Sequence, residues 1–272
     1  MVLFPNCKIN LGLHIVAKRT DGYHNLETIF YPVGVSDALE VIKSDETTFH
    51  LTGLDVAGNA QDNLCVKAYH LLRQDFLALP PVRIHLHKAI PMGAGLGGGS
   101  ADGAVMLLLL NKKFELNLNE TQLINYALQL GSDCPFFIVN KPCYAKGRGE
   151  IMTLIEMDLT AYKLVLVNPQ IHVSTKDAFA RLSSAKSAKS LREIIQQPLP
   201  TWKEELRNDF EDGISKLYPV IDEIKQSFYK AGAVYAAMTG SGSTVYGFFE
   251  KGMEVNFSFP KNYFVATVHN HG

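Results

Sequence analysis

The sequence lacks the features that mark membrane and secreted proteins. Its longest wholly apolar run, residues 104–110, has seven residues, whereas a membrane-spanning helix needs about 20. Pro5, Asn6 and Lys8 interrupt the apolar N-terminus before the core of a signal peptide could form. The sequence therefore predicts a cytoplasmic protein that has no membrane partner.

Cysteine is scarce, and no two cysteines have the spacing of a metal or redox motif. The chain contains four cysteines with no Cys-x-x-Cys pair, namely Cys7, Cys65, Cys134 and Cys143. This scatter excludes a disulfide framework and a zinc knuckle. We expect reduced thiols with a structural role.

An excess of either charge is also missing. The 26 Lys and Arg residues balance 27 Asp and Glu residues, which leaves a net charge of -1. Nucleic-acid-binding domains usually carry a basic excess, so we expect no nucleic-acid partner. An anionic ligand would have to be bound by a local site. The length of 272 residues and the 47% of hydrophobic residues fit one large or two modest globular domains.

Glycine, in contrast, is concentrated in one loop. It follows a strand predicted to end at Lys88 and precedes a buried helix predicted over residues 101–110. The loop consists of Pro91, Met92, Gly93, Ala94, Gly95, Leu96, Gly97, Gly98, Gly99 and Ser100. Glycine permits positive φ and close approach of a ligand to the backbone, and the following helix adds the positive end of its dipole. This combination predicts a phosphate-binding loop.

Two other phosphate motifs fit this loop only in part. Gly93, Gly95 and Gly98 match the G-x-G-x-x-G pattern of dinucleotide-binding folds, but the acidic residue expected at the end of a second strand is missing. The Walker A frame also fits, except that Gly99 stands where its lysine should be. A flexible turn needs one or two glycines rather than five.

Three further segments hold candidate polar residues. Lys8 and Asn10 share one face of a predicted strand. Asp133 lies between a predicted helix end and a predicted helix start, so it is either an N-cap or an acid facing a cleft. A second loop, residues 239–244, joins two predicted strands as a tight hairpin or as a second wall of the site. Asn119 with Gln122 predicts a capping box at the start of a helix that Gly131 ends. A single helix is predicted over residues 215–230.

Residues 4–11, the loop 91–100 and residues 238–243 resemble, in this order, the three motifs of the GHMP kinases. Residues 19–26, 131–137 and 208–211 resemble the members that phosphorylate a tertiary alcohol linked to cytidine diphosphate, in non-mevalonate isoprenoid precursor biosynthesis. The resemblance implies a two-domain α+β fold. We expect a mixed α/β N-terminal domain (residues 1–155), a ferredoxin-like C-terminal domain (residues 156–272) and an active site in the cleft between them.

The resemblance also implies ATP and Mg²⁺ as cofactors. Asp133 would be the catalytic base and Lys8 its electrostatic partner, and the loop 91–100 would bind the ATP phosphates. Asn63 and Lys88 would line the adenine pocket, although a helix cap and a strand end are their alternatives. The hydroxyl of Ser100 would touch phosphate or Mg²⁺. We expect no direct ligation of the metal by the protein; Ser100 and Asp102 are the candidates for a contact with it. Alternatively, Asp102 is an ordinary acid in the first turn of a helix.

For the substrate, the resemblance implies a cytosine ring held between Tyr23 and Phe179, with His24 reading its polar edge. Thr175 and Asn10 would hold the diphosphate or the erythritol end, and the second loop would contribute Gly240 and Ser241. Tyr23 could instead be a half-buried hairpin aromatic beside the predicted turn at residues 21–22, and Phe179 a core residue.

His85 and His87 share a strand face but have no third metal ligand, so we expect them to face solvent. A monomer or a weak homodimer is expected. A GHMP kinase for homoserine, mevalonate or a sugar, and a catalytically silent nucleotide-binding regulator, remain alternatives.

Overall fold

The computed structural model describes residues 1–20, 22–56, 58–182 and 189–269. Asp21, half of the predicted turn at residues 21–22, lies outside the described residues. Two compact units make up the chain. The first unit contains Met1–Cys7, Val35–Met92 and Gly97–Lys141, and the second contains Lys8–Gly34, Gly93–Leu96 and Pro142–Gly272.

The described residues form strands and helices throughout. The strands are β1 (Val2–Leu3), β2 (Asn6–Lys18), β3 (His24–Ser36), β4 (Ala38–Lys43), β5 (Thr48–Gly53), β6 (Val82–Lys88), β7 (Cys143–Gly147), β8 (Ile151–Leu154), β9 (Tyr162–Asn168), β10 (Tyr235–Met238), β11 (Val245–Glu250) and β12 (Phe264–His269). The helices are α1 (Leu64–Asp75), α2 (Gly98–Lys113), α3 (Glu120–Leu130), α4 (Cys134–Val139), α5 (Thr175–Ala180), α6 (Leu191–Ile195), α7 (Trp202–Glu205), α8 (Glu211–Leu217) and α9 (Val220–Lys230).

The first unit combines a four-stranded sheet with helices α1 to α4. The sheet has the order β1-β4-β6-β5, with β5 parallel to β6 and the other pairs antiparallel. Val82, Ile84 and Leu86 of β6 are buried, as their alternation with polar residues predicts. Helix α2 is buried along most of its length, which confirms the prediction of a buried helix after the loop. It starts at Gly98 rather than at residue 101, so Ser100 belongs to the helix.

Side-chain caps define two helix starts in this unit. The side chain of Asn63 accepts a hydrogen bond from Cys65 N at 2.9 Å and caps α1. Asn119 and Gln122 form the predicted capping box of α3, and Gly131 ends that helix. Both helices therefore begin where their sequence signals place them.

The second unit contains two antiparallel sheets, of which the first has the order β2-β3-β7-β8. The pattern of β2 predicts one buried and one polar face, and the structure corrects this prediction. Lys8 and Asn10, on the polar face, are only 4% and 2% exposed. A lysine in this position must be held by hydrogen bonds, because an unpaired buried charge is unstable.

The second sheet of this unit has the order β10-β11-β9-β12. Helices α8 and α9 supply Ile214, Ile224 and Phe228 to the core that also includes Val165 of β9 and Phe249 of β11. The prediction of one helix over residues 215–230 is wrong. Helix α8 ends at Leu217 and α9 starts at Val220, with Pro219 as its N-cap, because proline fixes φ and has no N–H for a continuous helix.

All four cysteines are buried, and none of them forms a disulfide bond. Among the described residues, no helix is both long and apolar enough to cross a bilayer.

Candidate active site

The middle of the glycine loop, residues 93–96, belongs to the second unit. Its carbonyl groups face other residues of that unit. Three successive carbonyl oxygens accept hydrogen bonds: that of Ala94 from Thr244 N at 3.2 Å, that of Gly95 from Thr239 Oγ1 at 3.1 Å, and that of Leu96 from Lys8 N at 3.0 Å. The N–H groups of residues 93–97 donate to no acceptor among the described residues. The loop thus presents consecutive free donors, which suit an anion.

Left-handed glycines make this backbone path accessible. The φ angles of Gly93, Gly95 and Gly97 are 63°, 77° and 71°, a region that residues with a Cβ rarely adopt. A Cβ at position 95 would also lie 2.1 Å from the carbonyl oxygen of Thr239. The density of glycine in this loop therefore has a steric cause.

The N-terminus of α2 provides further donors. Gly97 is its N-cap and supplies no side-chain cap, and Gly98, Gly99 and Ser100 form the first turn. The N–H groups of a first turn have no partner within the helix and carry the positive end of the dipole. Helix α2 has 16 residues, which is long enough to offer an anion site at this end.

Ser100 connects the start of α2 to the start of α4. Its side chain shares a hydrogen bond with the thiol of Cys134, the first residue of α4. Burial raises the pKa of Cys134 to about 12, and the bond from Ser100 opposes this shift. The thiol therefore stays protonated and structural, and the residue that precedes it, Asp133, lies close to the first turn of α2.

Asp133 occupies the N-cap position of α4, as its spacing predicts. Its side chain, however, makes no capping hydrogen bond, and its φ and ψ of -86° and -16° are helical. The role of a conventional N-cap, in which the side chain bonds a free N–H group of the helix, therefore does not explain this aspartate. The side chain of Asp133 is half-buried.

Lys8 is a buried residue of the second unit rather than a solvated strand residue. Its Nζ donates to Asn10 Oδ1 and, at 3.2 Å, to the carbonyl oxygen of Gly95. It also lies 5.2 Å from the centre of the Phe30 ring. The ammonium group is thus fixed directly against the middle of the glycine loop.

Asn10 is held from several sides. Its N–H donates to Thr239 Oγ1 at 2.9 Å, and its side-chain amide donates to Thr28 Oγ1 at 2.9 Å. The hydroxyl of Tyr246 donates to its carbonyl oxygen at 2.9 Å. The network fixes Lys8 through Asn10 Oδ1, so strand β2 and the second loop act together.

Asn208 fixes the second loop, which includes Gly240 and Ser241. Its side-chain amide donates at 2.8 Å to the carbonyl oxygens of both Met238 and Gly240. Gly240 has a φ of 56°, and a Cβ there would lie 3.1 Å from the Cα of Gly95. The loop is therefore more than a hairpin connection, since it packs on the glycine loop.

Lys88 lies at the end of β6, as predicted, but it is 1% exposed. Its Nζ forms ion pairs with Asp37 and with Asp102, the latter at 2.7 Å. Both carboxylates therefore occupy the ammonium group, and the adenine-lining role of Lys88 stays a prediction. Asp102 likewise lies beyond the first turn of α2 and faces Lys88, so neither the first-turn prediction nor a free metal-binding carboxylate describes it.

Burial is the largest influence on the pKa of Asp102 and acts against the ion pairs at Lys88. It raises the pKa of Asp102 to about 7, although the nearby Lys88 ammonium lowers it. Burial alone would lower the pKa of Lys88, but the two carboxylates outweigh this effect and raise it. The same burial, with Asp102 nearby, raises the pKa of the Cys65 thiol.

Two of the three aromatic residues predicted to contact a base pack on each other in the second unit. His24 and Phe179 stack with ring centres 4.3 Å apart and an angle of 14°. Phe179 also meets Phe210 edge-on at 4.9 Å and packs on the core. The predicted gap on this face of Phe179 is therefore filled by His24, because 4.3 Å leaves no room for a third ring.

Tyr23 is 52% exposed, and the guanidinium of Arg148 lies 4.0 Å from the centre of its ring. One face of the tyrosine is thus covered by a cation. Thr175 is the first residue of α5, whose N-cap is Ser174.

The remaining predicted residues have local roles. Asn63 caps α1, which is its alternative to adenine binding. His85 and His87 both bond to Thr52 Oγ1, at 2.9 and 3.0 Å, on the outer face of the first unit's sheet. Within the part of the chain that the structure describes, no three His, Cys, Asp or Glu side chains gather as a metal site.

Sequence reasoning missed several residues of these networks. Thr28 and Tyr246 lie in ordinary strands, and no local motif marks them. Asp37 is a single acid between two strands. Asn208 and Thr239 carried a signal, because both lie in segments that resemble family motifs.

Comparison with known proteins agrees with this geometry. Residues 63–141 match the family model "GHMP kinases N terminal domain", and residues 185–257 match "GHMP kinases C terminal". The 4-diphosphocytidyl-2-C-methyl-D-erythritol kinases of Bacteroides fragilis and Bacteroides thetaiotaomicron are each 53% identical to the chain, over 92% of both sequences.

Solved structures give the same result. A crystal structure of 4-(cytidine 5'-diphospho)-2C-methyl-D-erythritol kinase aligns over 100% of both chains, with a TM-score of 0.80 and 26% identity. A mevalonate kinase aligns over 99% of this chain and 98% of its own, with a TM-score of 0.71 and 13% identity, which shows the shared fold alone. Membership of a kinase family implies ATP as the phosphoryl donor. The chain belongs to the GHMP kinases and, within them, to the family of 4-diphosphocytidyl-2-C-methyl-D-erythritol kinases.

Proposed function

We propose that the protein transfers the γ-phosphoryl group of ATP to the 2-hydroxyl of 4-diphosphocytidyl-2-C-methyl-D-erythritol, in non-mevalonate isoprenoid precursor biosynthesis. The observation that carries the proposal is the series of unpaired N–H groups in the loop 93–97, which leads into the uncapped N-terminus of α2. The two Bacteroides relatives, each 53% identical to the chain, are named as kinases of this alcohol.

The loop binds the ATP phosphates through its backbone N–H groups, with the hydroxyl of Ser100 as an added contact. Backbone donors suit this task because they are rigid and cost no side-chain entropy on binding. The ammonium of Lys8, fixed at the carbonyl of Gly95, adds positive charge to the same loop. The loop therefore neutralises and orients the triphosphate before the reaction.

Magnesium is held mainly by phosphate oxygens in this proposal. Mg²⁺ commonly uses few protein ligands together with substrate phosphates. The described residues fit this arrangement, because no cage of carboxylates is present and Asp102 is committed to Lys88. When bound, the ion supplies neutralisation of charge on the transferred phosphoryl group.

Asp133 accepts the proton of the attacking hydroxyl. Its carboxylate makes no capping bond and lies next to Cys134, which Ser100 holds against the start of α2. Lys8 acts as its electrostatic partner and stabilises the charge that develops on the phosphoryl group.

The cytidine end of the substrate binds to Tyr23 and His24. Tyr23 has an exposed ring on which a base can stack, and His24 offers ring nitrogens for the polar edge of cytosine. Phe179 supports His24 by stacking on it. Asn10, Thr175, Gly240 and Ser241 contact the diphosphate or the erythritol end.

The predicted domain boundary, cellular location and oligomeric state are also part of this proposal. A domain division near residue 155 is supported by the family models, whose matches lie on either side of it. A cytoplasmic location and a monomer or weak homodimer remain predictions.

An ATP-consumption assay with a panel of alcohols tests the function. We expect ADP release with 4-diphosphocytidyl-2-C-methyl-D-erythritol and a phosphomonoester product by ³¹P NMR, with much slower turnover of homoserine and mevalonate. Equal turnover of homoserine or mevalonate would assign the protein to another GHMP specificity. Nucleotide binding without turnover of any acceptor would support the silent regulator instead.

A further inference from the structure

Both ends of the glycine loop within the first unit meet at one buried charged cluster, formed by Asp37, Lys88 and Asp102. The three residues come from separate segments, since Asp37 lies between β3 and β4, Lys88 ends β6, and Asp102 lies in α2. Their exposed fractions are 1%, 1% and 2%. Lys88 is the central member because its ammonium bonds both carboxylates.

Asp37 fixes the backbone that enters the loop. Its Oδ1 accepts the N–H of Ala89 at 2.6 Å and the N–H of Ile90 at 2.9 Å. These are the last two residues before Pro91. The entry to the loop therefore depends on the position of this carboxylate.

Asp102 fixes the exit from the loop. It bonds Lys88 through Oδ2, whereas its buried Oδ1 has no hydrogen-bond partner among the described residues. The link to Lys88 is thus the polar tie between the start of α2 and the end of β6. Without it, the side chain of Asp102 would be buried beside the like-charged carboxylate of Asp37 and would lack the cation that compensates both.

The two ends also touch. A Cβ placed on Gly98 would lie 2.9 Å from Ile90 Cγ2 and 3.3 Å from the Nζ of Lys88. The glycine lets the exit of the loop approach its entry and the ammonium group at the same time. Residues 91–97 are therefore closed at their base.

Stability alone is a poor explanation for this cluster. Apolar residues of similar volume usually stabilise a core as well as or better than buried ion pairs, whereas buried charges are best attested as devices that specify one arrangement. Here the arrangement in question is that of the loop ends.

We propose that Asp37, Lys88 and Asp102 are positioning residues that hold the two ends of the glycine loop together and thereby set its affinity for the nucleotide triphosphate. The inference rests on the proposed assignment of this loop to the ATP phosphates. The side chain of Lys88 acts on the loop ends through the two carboxylates that it bonds.

The test compares Asp102→Ala and Asp102→Asn with Leu72→Ala. Leu72 is fully buried in α1 of the same unit, so its truncation destabilises the unit without touching the cluster. Melting temperatures by circular dichroism select a temperature at which all variants are folded. Isothermal titration with a non-hydrolysable ATP analogue then gives the dissociation constant, and steady-state kinetics give KM for ATP and for the alcohol.

We expect Asp102→Ala to weaken nucleotide binding about tenfold, which is about 1.4 kcal/mol, with KM for the alcohol unchanged. Asp102→Asn keeps an oxygen acceptor for Lys88 and should restore most of the affinity, and Leu72→Ala should bind like the unchanged protein. Should Asp102→Ala fail to fold, the triple variant Asp37→Asn, Lys88→Met, Asp102→Asn removes all three charges together and should show the same tenfold loss.

Four results would overturn the inference. Equal weakening by Leu72→Ala and Asp102→Ala would mean that the cluster is only scaffold, and so would undiminished affinity in Asp102→Ala or in the triple variant. A parallel rise of both KM values would contradict a specific effect on the nucleotide loop. No binding of the analogue by the unchanged protein would overturn the proposed function and this inference with it, so the two failures are distinguishable.

Discussion

The hydroxyl of Ser100 and the thiol of Cys134 share a hydrogen bond that joins the first turn of α2 to the first turn of α4. The bond has no chemical task of its own, because the thiol is buried and protonated. The bond instead holds Cys134 in place and with it Asp133, the residue that precedes Cys134. The proposed base is therefore located by a contact of its neighbour.

Asp133→Asn should lower kcat by about 10²- to 10⁴-fold, the usual contribution of a general base. Both KM values should stay close to those of the unchanged protein, because the amide has the same shape but cannot accept the proton. Steady-state ATP consumption measures both. Melting curves by circular dichroism show that the variant is folded at the assay temperature. Asp158→Asn, at an exposed acid of the second unit, is the control. Turnover near the normal rate would leave Asp133 as a plain helix residue.

Lys8→Met should also lower kcat, because it removes the buried positive charge beside Gly95. Combined with Asp133→Asn, the loss should be much less than the product of the two single losses, as expected for residues that act as a unit. A double-mutant cycle on kcat provides the measurement. Losses that simply multiply would show that the two side chains work independently.

Gly95→Ala should abolish tight nucleotide binding. The new Cβ would lie 2.1 Å from a backbone oxygen, and the φ of 77° disfavours alanine. Gly99→Ala is the matched control in the same loop, because its Cβ would meet only the flexible end of Met92, at 3.0 Å. Titration with an ATP analogue compares them. Equal affinities would argue against the loop as the phosphate site.

Tyr23→Ala should raise KM for the cytidine substrate about 10- to 100-fold, because stacking of a base on an aromatic ring is worth about 1–3 kcal/mol. KM for ATP should not change, and Tyr23→Phe should behave almost normally because it keeps the ring. Initial rates with each substrate varied in turn provide the test. An equal rise in both KM values would remove Tyr23 from the cytidine site.

Stability should fall as pH rises from about 4 to about 7 through the contribution of Asp102. Burial raises its pKa in the folded protein to about 7, whereas an unfolded aspartate titrates near 3.9. Between these values the folded state binds the extra proton, so raising the pH lowers the free energy of unfolding. Urea unfolding at several pH values should show this slope, and Asp102→Asn should flatten it. An unchanged slope in the variant would assign the pH dependence to other groups.

The sequence was most informative where a signal is local. Asn63, the Asn119–Gln122 box and the alternation in β6 each depend on neighbouring residues, and each was predicted correctly. The glycine loop could be recognised because its backbone demands glycine in several successive turns.

Long-range partners could not be predicted in this way. Asp37 lies 51 residues from Lys88, and nothing in either segment indicates that they pair. Strand alternation placed Lys8 on a polar face, but it cannot tell that both faces of a strand are covered. The stacking of His24 on Phe179 depends on the folding of α5 against β3, which propensities do not encode.

Because all four cysteines are buried, the reactivity of their thiols reports when each unit opens. Cys7, Cys65 and Cys134 belong to the first unit and Cys143 to the second, so a thiol-labelling reagent reacts with each unit only when that unit exposes its interior. Mass spectrometry of the labelled peptides over time would thus yield separate opening rates for the two units from one sample, without any introduced probe.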